Sequence, residues 1–342
     1  MKYVKSESKE TVMSESKQRS DTLKMKTGSP RYMLERNYRE SGVFQWVRET
    51  FFNSLEAGAT RIEFGLEPQA MKNGIFRRTI ADNGVGMDEG QLKTFFNTYG
   101  DGGKPIGGHH ENFGVGGKIS LLPWNHHGVV VVSWVDGEAS MIWIHLGSDG
   151  EYGLRYFEAE DGDTGETTRE VVVEPFEDEE HGCNWADIKP DWIEDHGTVI
   201  VLLGDDPSTH TAYGDPARKE SATKGISRYL NERIWEIPSG VEVWVNELRR
   251  SKSSLDDEVT PGAENAGDHS ADPASNSKPC SIRRVHGARY HIETSTTRCK
   301  GRLAHSGTVS LDCGTEIDWF LWDGERPALR DSAAERGYVA TL

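Results

Sequence analysis

The chain has 342 residues, 35% of them hydrophobic, and a formal net charge of -17. That length suffices for a sizeable core and suggests two domains, or one domain with appendages, while the acidic balance argues against a surface that is wholly a nucleic-acid platform. No apolar run is long enough for a bilayer span and the opening MKYVKSESKETVMSESKQ has no apolar centre, so neither a membrane segment nor a secretory signal is expected and the location expected is cytoplasmic.

The four cysteines are Cys183, Cys280, Cys299 and Cys313, and none forms a C-x-x-C pair. They suit neither a zinc site nor a disulfide framework and read as reduced thiols.

Residues 1–30 are rich in Ser, Lys and Glu and read as a disordered tail, with order expected from about Tyr32. In FQWVRETFFNSLEAGATRIEF, Phe44, Val47, Phe51 and Leu55 recur at helical spacing and form a stripe to be buried, while Glu49, Asn53 and Glu56 share another face. A strand is predicted over 60–66 and another over 74–81, running into DNGVGM. A short helix over 89–97 follows, then the Gly- and His-rich loop YGDGGKPIGGHHENFGVGGK. Segments 129–135 and 140–146 read as a hairpin turning at Asp136-Gly137.

The acidic stretch 158–180 reads as a solvated hairpin or loop insertion, since no other ligand type is spaced among its carboxylates. GTVIVLL, residues 197–203, has the unbroken apolar character of a buried strand, 224–235 reads as an amphipathic helix and 241–245 as a strand. Residues 251–279 have almost nothing to bury and read as a flexible linker or insertion. Strand-like pieces resume over 288–293, 307–311 and 316–322, and the ending GYVATL suggests that a C-terminal portion follows.

Three short segments carry chemistry. In DNGVGM, Asp82 to Met87, the glycines supply positive φ cheaply, and a tight turn accounts for them as readily as a site does; yet an Asp at the end of a buried strand needs a donor, and the exocyclic amine of an adenine would serve. In NFGVGGK, Asn112 to Lys118, the glycines let backbone N–H groups converge on an anion, although the Walker spacing is absent. Glu49 and Asn53 lie one helical turn apart, so a carboxylate able to deprotonate a water and an amide oxygen able to bind Mg²⁺ can act on one small volume; taken alone, however, the pair reads as a solvated helix face.

The order of these segments, E-x-x-x-N-S-x-E-A-G-A, then D-N-G-x-G-M, then F-G-x-G-x-K, then G-T opening a buried strand, resembles the GHKL ATPases: gyrase, the ninety-kilodalton heat-shock chaperone, histidine kinases and MutL. VRETFFNSLEAGATRIEF is especially similar to the MutL and MORC branches, and the resemblance runs from about Tyr32 to Glu247. It implies an α/β chain with a Bergerat two-layer sandwich, helices on one face of a mixed, largely antiparallel sheet. Residues 31–250 would form the ATPase domain, and 280–342 would start a second, transducer-like α+β domain.

The resemblance further implies that Glu49 is the general base, that Asn53 is the Mg²⁺ ligand, and that Asp82 holds adenine, with Gly84, Gly86 and Met87 beside the base. Gly114, Val115, Gly116 and Gly117 would form the phosphate end of a lid running from Tyr99 to Gly117, Lys118 would lie near the phosphates, and Thr198 would support Asp82. Glu56 stands where many relatives have Asp, which leaves it a supporting role at most. The implied activity is Mg²⁺-dependent ATP binding and slow hydrolysis, closing the lid and driving homodimerisation, as a switch in a DNA-transaction or chaperone-like process. Protein or DNA partners would act through regions outside this chain. The alternatives are a non-hydrolysing nucleotide-binding regulatory module and a protein kinase; the histidine kinases' upstream phosphoacceptor helix has no counterpart in the tail, which lacks histidine.

Overall fold

The computed structural model describes residues 29–98, 116–160, 167–179, 181–218, 225–248, 280–294 and 302–323. The expected tail before Ser29, the lid portion from Tyr99 to Val115, the linker 251–279 and the ending GYVATL lie outside the described residues.

The near-continuous apolar runs in VVVVSWV and EASMIWIHL, suited to strands buried on both faces, produce β3 (Val129–Val135) and β4 (Glu138–Leu146), paired antiparallel. Asp136 and Gly137, at φ 53° and 84°, make the tight turn that the right-handed twist of a hairpin favours. With β1 (Arg61–Leu66), β2 (Arg78–Asp82), β5 (Tyr152–Leu154), β10 (Gly197–Leu202), β11 (Glu242–Leu248) and β12 (Cys280–Val285), they form an eight-stranded sheet in the order β12-β11-β1-β2-β10-β3-β4-β5. Only β1 and β11 run parallel, so the chain is α/β with a mixed, largely antiparallel sheet.

The strand period of two sorts side chains onto two faces. Ile62, Phe64, Ile80, Val129, Val131, Ile142 and Ile144 face one core, which α1 (Pro30–Glu40), α2 (Gln45–Glu56), α4 (Glu89–Asn97), α5 (Gly116–Leu121) and α6 (Ile226–Arg233) cover. Phe44, Val47 and Phe51 are buried there and Leu55 packs at its edge, so the stripe read from the sequence anchors α2. Val130, Val132, Trp134, Met141, Trp143, Val199 and Val201 face the other side, where Cys183, Trp185, Ile188 and Ile193 cover them.

That second layer follows the acidic stretch 158–180, which contains the expected exposed hairpin but also pairs with the sheet through Val173. The hairpin of β6 (Phe157–Glu160) and β7 (Thr167–Glu170) is exposed along β7, but Val173 bridges to Met141 and the chain then dives into the second core. Between these, β8 (Glu177–Asp178) pairs with β9 (Cys183–Asn184), beside which α3 (Pro68–Lys72) packs.

Four expectations change. Helix α1 was not foreseen, although Ser29 caps it and Pro30 opens it. The strand expected over 74–81 is laddered only from Arg78, because the Phe76 N–H is given to His210 Nδ1 instead of a neighbouring strand. The strand expected over 288–293 is a helix, α7 (Ala288–Glu293), whose Ala288 and Ile292 are buried one turn apart; six residues are too few for period alone to separate helix from strand. No strand was expected over 280–285, yet β12 joins β11 at the edge of the main sheet, while β13 (Arg302–Ser310) and β14 (Glu316–Asp323) form a separate hairpin.

Candidate functional site

Asp82 ends β2 opposite Thr198 at the start of β10, so the two segments D-N-G-x-G-M and G-T meet by strand register. Ser54 Oγ donates to Asp82 Oδ2 and the Gly84 N–H donates to Oδ1, each at 2.9 Å. Burial pushes the Asp82 carboxyl up from its ordinary range, and the two donors offset part of that shift. Sequence reasoning gave Ser54, the residue after Asn53, no role.

Ser133 was also missed. Its hydroxyl accepts from the Met87 N–H at 2.8 Å, donates to the Gly197 carbonyl at 3.0 Å and lies 2.9 Å from Thr198 Oγ1. One serine of β3 therefore fixes the turn after β2 against the start of β10. Gly86, at φ 70°, has no room for a side chain: a Cβ there would sit 2.0 Å from the Trp134 carbonyl oxygen. The fourth element, α5, packs on α2, and a Cβ on Gly116 would lie 2.1 Å from Glu49 Oε2.

These elements enclose a cavity of about 250 Å³ whose walls include Asn53, Asp82, Gly86, Met87, Gly117, Lys118 and Thr198, with Ser54, Glu56, Phe96 and Ile200 among the rest. Residues from seven separated parts of the chain thus converge. Its wall is chiefly apolar with few polar groups, the usual make-up of a small-molecule site. Gly84 sits beneath it on Asp82, while Glu49 and Gly116 border each other and not the cavity itself. Gly114 and Val115 lie outside the described residues.

Glu49 is buried on α2, and its Oε1 accepts from Arg48 Nη1 at 2.8 Å and from Gln45 Nε2. Lys118 is buried too, with Nζ donating to the Thr98 carbonyl and lying 5.0 Å from the centre of the Phe95 ring. Burial lowers its amine to about 8. Glu56 is exposed at the cavity rim.

Among the described residues no group of three or more His, Cys, Asp or Glu side chains is arranged to hold a metal ion, and no helix is long and apolar enough to cross a membrane. No protein-family model matches the chain, and no curated protein matches it.

Proposed function

We propose that the chain is a GHKL-type ATPase, a Bergerat sandwich that binds ATP with Mg²⁺ and hydrolyses it slowly as a conformational switch. One observation carries the reading: Asn53, Asp82, Gly86, Met87, Gly117, Lys118 and Thr198, which the sequence pattern singles out in four separated segments, line a single cavity between the helices and the sheet.

The residues suit the groups they would meet. Asp82, already holding Ser54 and Gly84, is a carboxylate at an apolar wall, suited to an amine on a flat ring. Gly86, Met87 and Ile200 supply the flat apolar surface beside it. Lys118 supplies a cation for phosphate oxygens once its bond to Thr98 is exchanged for them. Asn53 supplies an amide oxygen that would hold Mg²⁺, a cation needing few protein ligands because waters and phosphates complete its shell; bound there, it would neutralise phosphate charge. Glu49 Oε2, beside Gly116 and so one residue from Gly117 of the cavity wall, is the group to accept a proton from the attacking water.

The work done by the cycle is proposed to be ATP-dependent association of two copies, in a DNA-transaction or chaperone-like process. A second reading, a module that holds the nucleotide without hydrolysing it, is favoured by one observation: Glu49 lies behind Gly116 and does not border the cavity. Phosphate release by the purified protein, compared with Glu49→Ala, separates the two. Turnover abolished by the substitution supports the hydrolytic reading, whereas nucleotide binding without turnover supports the module.

A further inference from the structure

We infer that Gln45 and Arg48 are positioning residues for Glu49, tying one carboxylate oxygen so that the other is presented at the α2–α5 seam; this inference rests on the ATPase reading above.

The two oxygens of Glu49 have different surroundings. Oε1 takes both side-chain donors, the Gln45 amide from one turn earlier and the Arg48 guanidinium at 2.8 Å. Oε2 faces α5, where the missing side chain of Gly116 leaves room for it, since a Cβ there would approach to 2.1 Å. A carboxylate bonded through one oxygen cannot rotate about its terminal torsion without losing both donors, so its second oxygen keeps one direction.

The donors are themselves restrained. The Arg48 guanidinium lies 5.0 Å from the centre of the Phe52 ring, one turn on, so an exposed arginine is stacked instead of sweeping through solvent. Gln45 is the first residue of α2, half-buried, and its amide reaches forward along the helix to Glu49. Neither side chain borders the cavity, so neither is placed to touch a nucleotide. A group that acts on Glu49 alone should change the rate of the chemical step and leave nucleotide affinity where it was.

Gln45→Leu removes the amide at similar volume, Arg48→Met removes the charge while keeping the stem, and Arg48→Lys keeps the charge without the planar fork. Phosphate release at saturating ATP, affinity for a fluorescent ATP analogue and melting temperature are measured for each against the unaltered protein and Glu49→Ala. The expected result is a fall in turnover of about tenfold for Gln45→Leu and Arg48→Met, the loss of one charge-assisted hydrogen bond, with partial recovery in Arg48→Lys. Affinity and melting temperature are expected to stay unchanged. If the protein turns over ATP in a Glu49-dependent manner but the variants match it, or lose affinity and melting temperature together with turnover, the positioning role is overturned and the ATPase reading stands. Absence of turnover in the unaltered protein overturns both.

Discussion

The Ser54 hydroxyl donates to Asp82 Oδ2 at 2.9 Å, joining the last turn of α2 to the end of β2. The same helix that anchors the sheet through Val47 and Phe51 therefore also sets the direction of the buried carboxylate at the cavity wall. Because burial raises the Asp82 pKa, its ionised form is penalised in the fold, and stability declines as pH rises from the ordinary carboxylate range through the raised value. Asp82→Asn is thus expected to melt at the same temperature or higher at neutral pH, while nucleotide affinity falls at least about tenfold through loss of the charged acceptor. Thermal melting paired with titration calorimetry checks both; a lower melting temperature would make Asp82 a structural residue.

Lys118 provides a pH test. Its amine is lowered to about 8 by burial, so the charged form is disfavoured in the folded chain and stability rises as pH climbs from there towards the ordinary lysine value. Binding of phosphate oxygens needs the opposite, protonated form. ATP affinity is expected to weaken as pH passes above about 8, and this dependence is expected to disappear in Lys118→Met. Calorimetric titrations on either side of that value measure it, and a pH-independent affinity in the unaltered protein would count against Lys118 as a phosphate partner.

Ser133→Ala removes the acceptor of the Met87 N–H and the partner of the Thr198 hydroxyl at once. Leaving a buried donor unpaired costs about 1–3 kcal/mol. Denaturant unfolding should show a loss in that range, with weaker nucleotide binding because the turn after β2 is no longer held against β10. Unchanged stability would mean that water replaces the hydroxyl.

Gly86→Ala tests the close approach of that turn to β3. The positive φ of 70° alone costs a non-glycine residue about 1–2 kcal/mol, and the new Cβ meets a backbone carbonyl oxygen that no side-chain rotation can clear. A loss of stability exceeding that figure, with nucleotide binding reduced at least as far as in Ser133→Ala, is expected from the same unfolding and calorimetric measurements. A tolerant site would show that the turn moves freely from Trp134.

Where sequence periods were long and uninterrupted, they were enough to read the elements. The helix over Glu89–Asn97, the hairpin at Asp136-Gly137 and the buried strand from Gly197 all stand where pattern and turn chemistry put them. The failures have physical causes. Cys280–Val285 carries Arg283 and Arg284 and exposes Ile282, as an edge strand can, so it shows little apolar pattern, and six residues at Ala288–Glu293 fit either period. The acidic stretch hid its structural part because its one apolar triplet, Val171 to Val173, is short and set among carboxylates, and only the fold brings Val173 against the sheet's second face beside Cys183 and Trp185, which follow the stretch. In the site, Asn53, Asp82, Gly86, Met87, Gly117, Lys118 and Thr198, singled out by the ordered segments, line one cavity, whereas Glu49 does not border it. Ser54 and Ser133 were not legible in the sequence, since a serine's value depends on which partner the tertiary fold sets beside it.

Phosphate release by the purified chain with ATP and Mg²⁺, set against Glu49→Ala at equal nucleotide occupancy, is the most direct test of the proposed activity. The expected result is slow release in the unaltered protein and release near background in the variant, with ATP still bound. Equal rates in the two would contradict the assignment of Glu49, and failure of the unaltered protein to bind ATP would contradict the whole reading of the cavity.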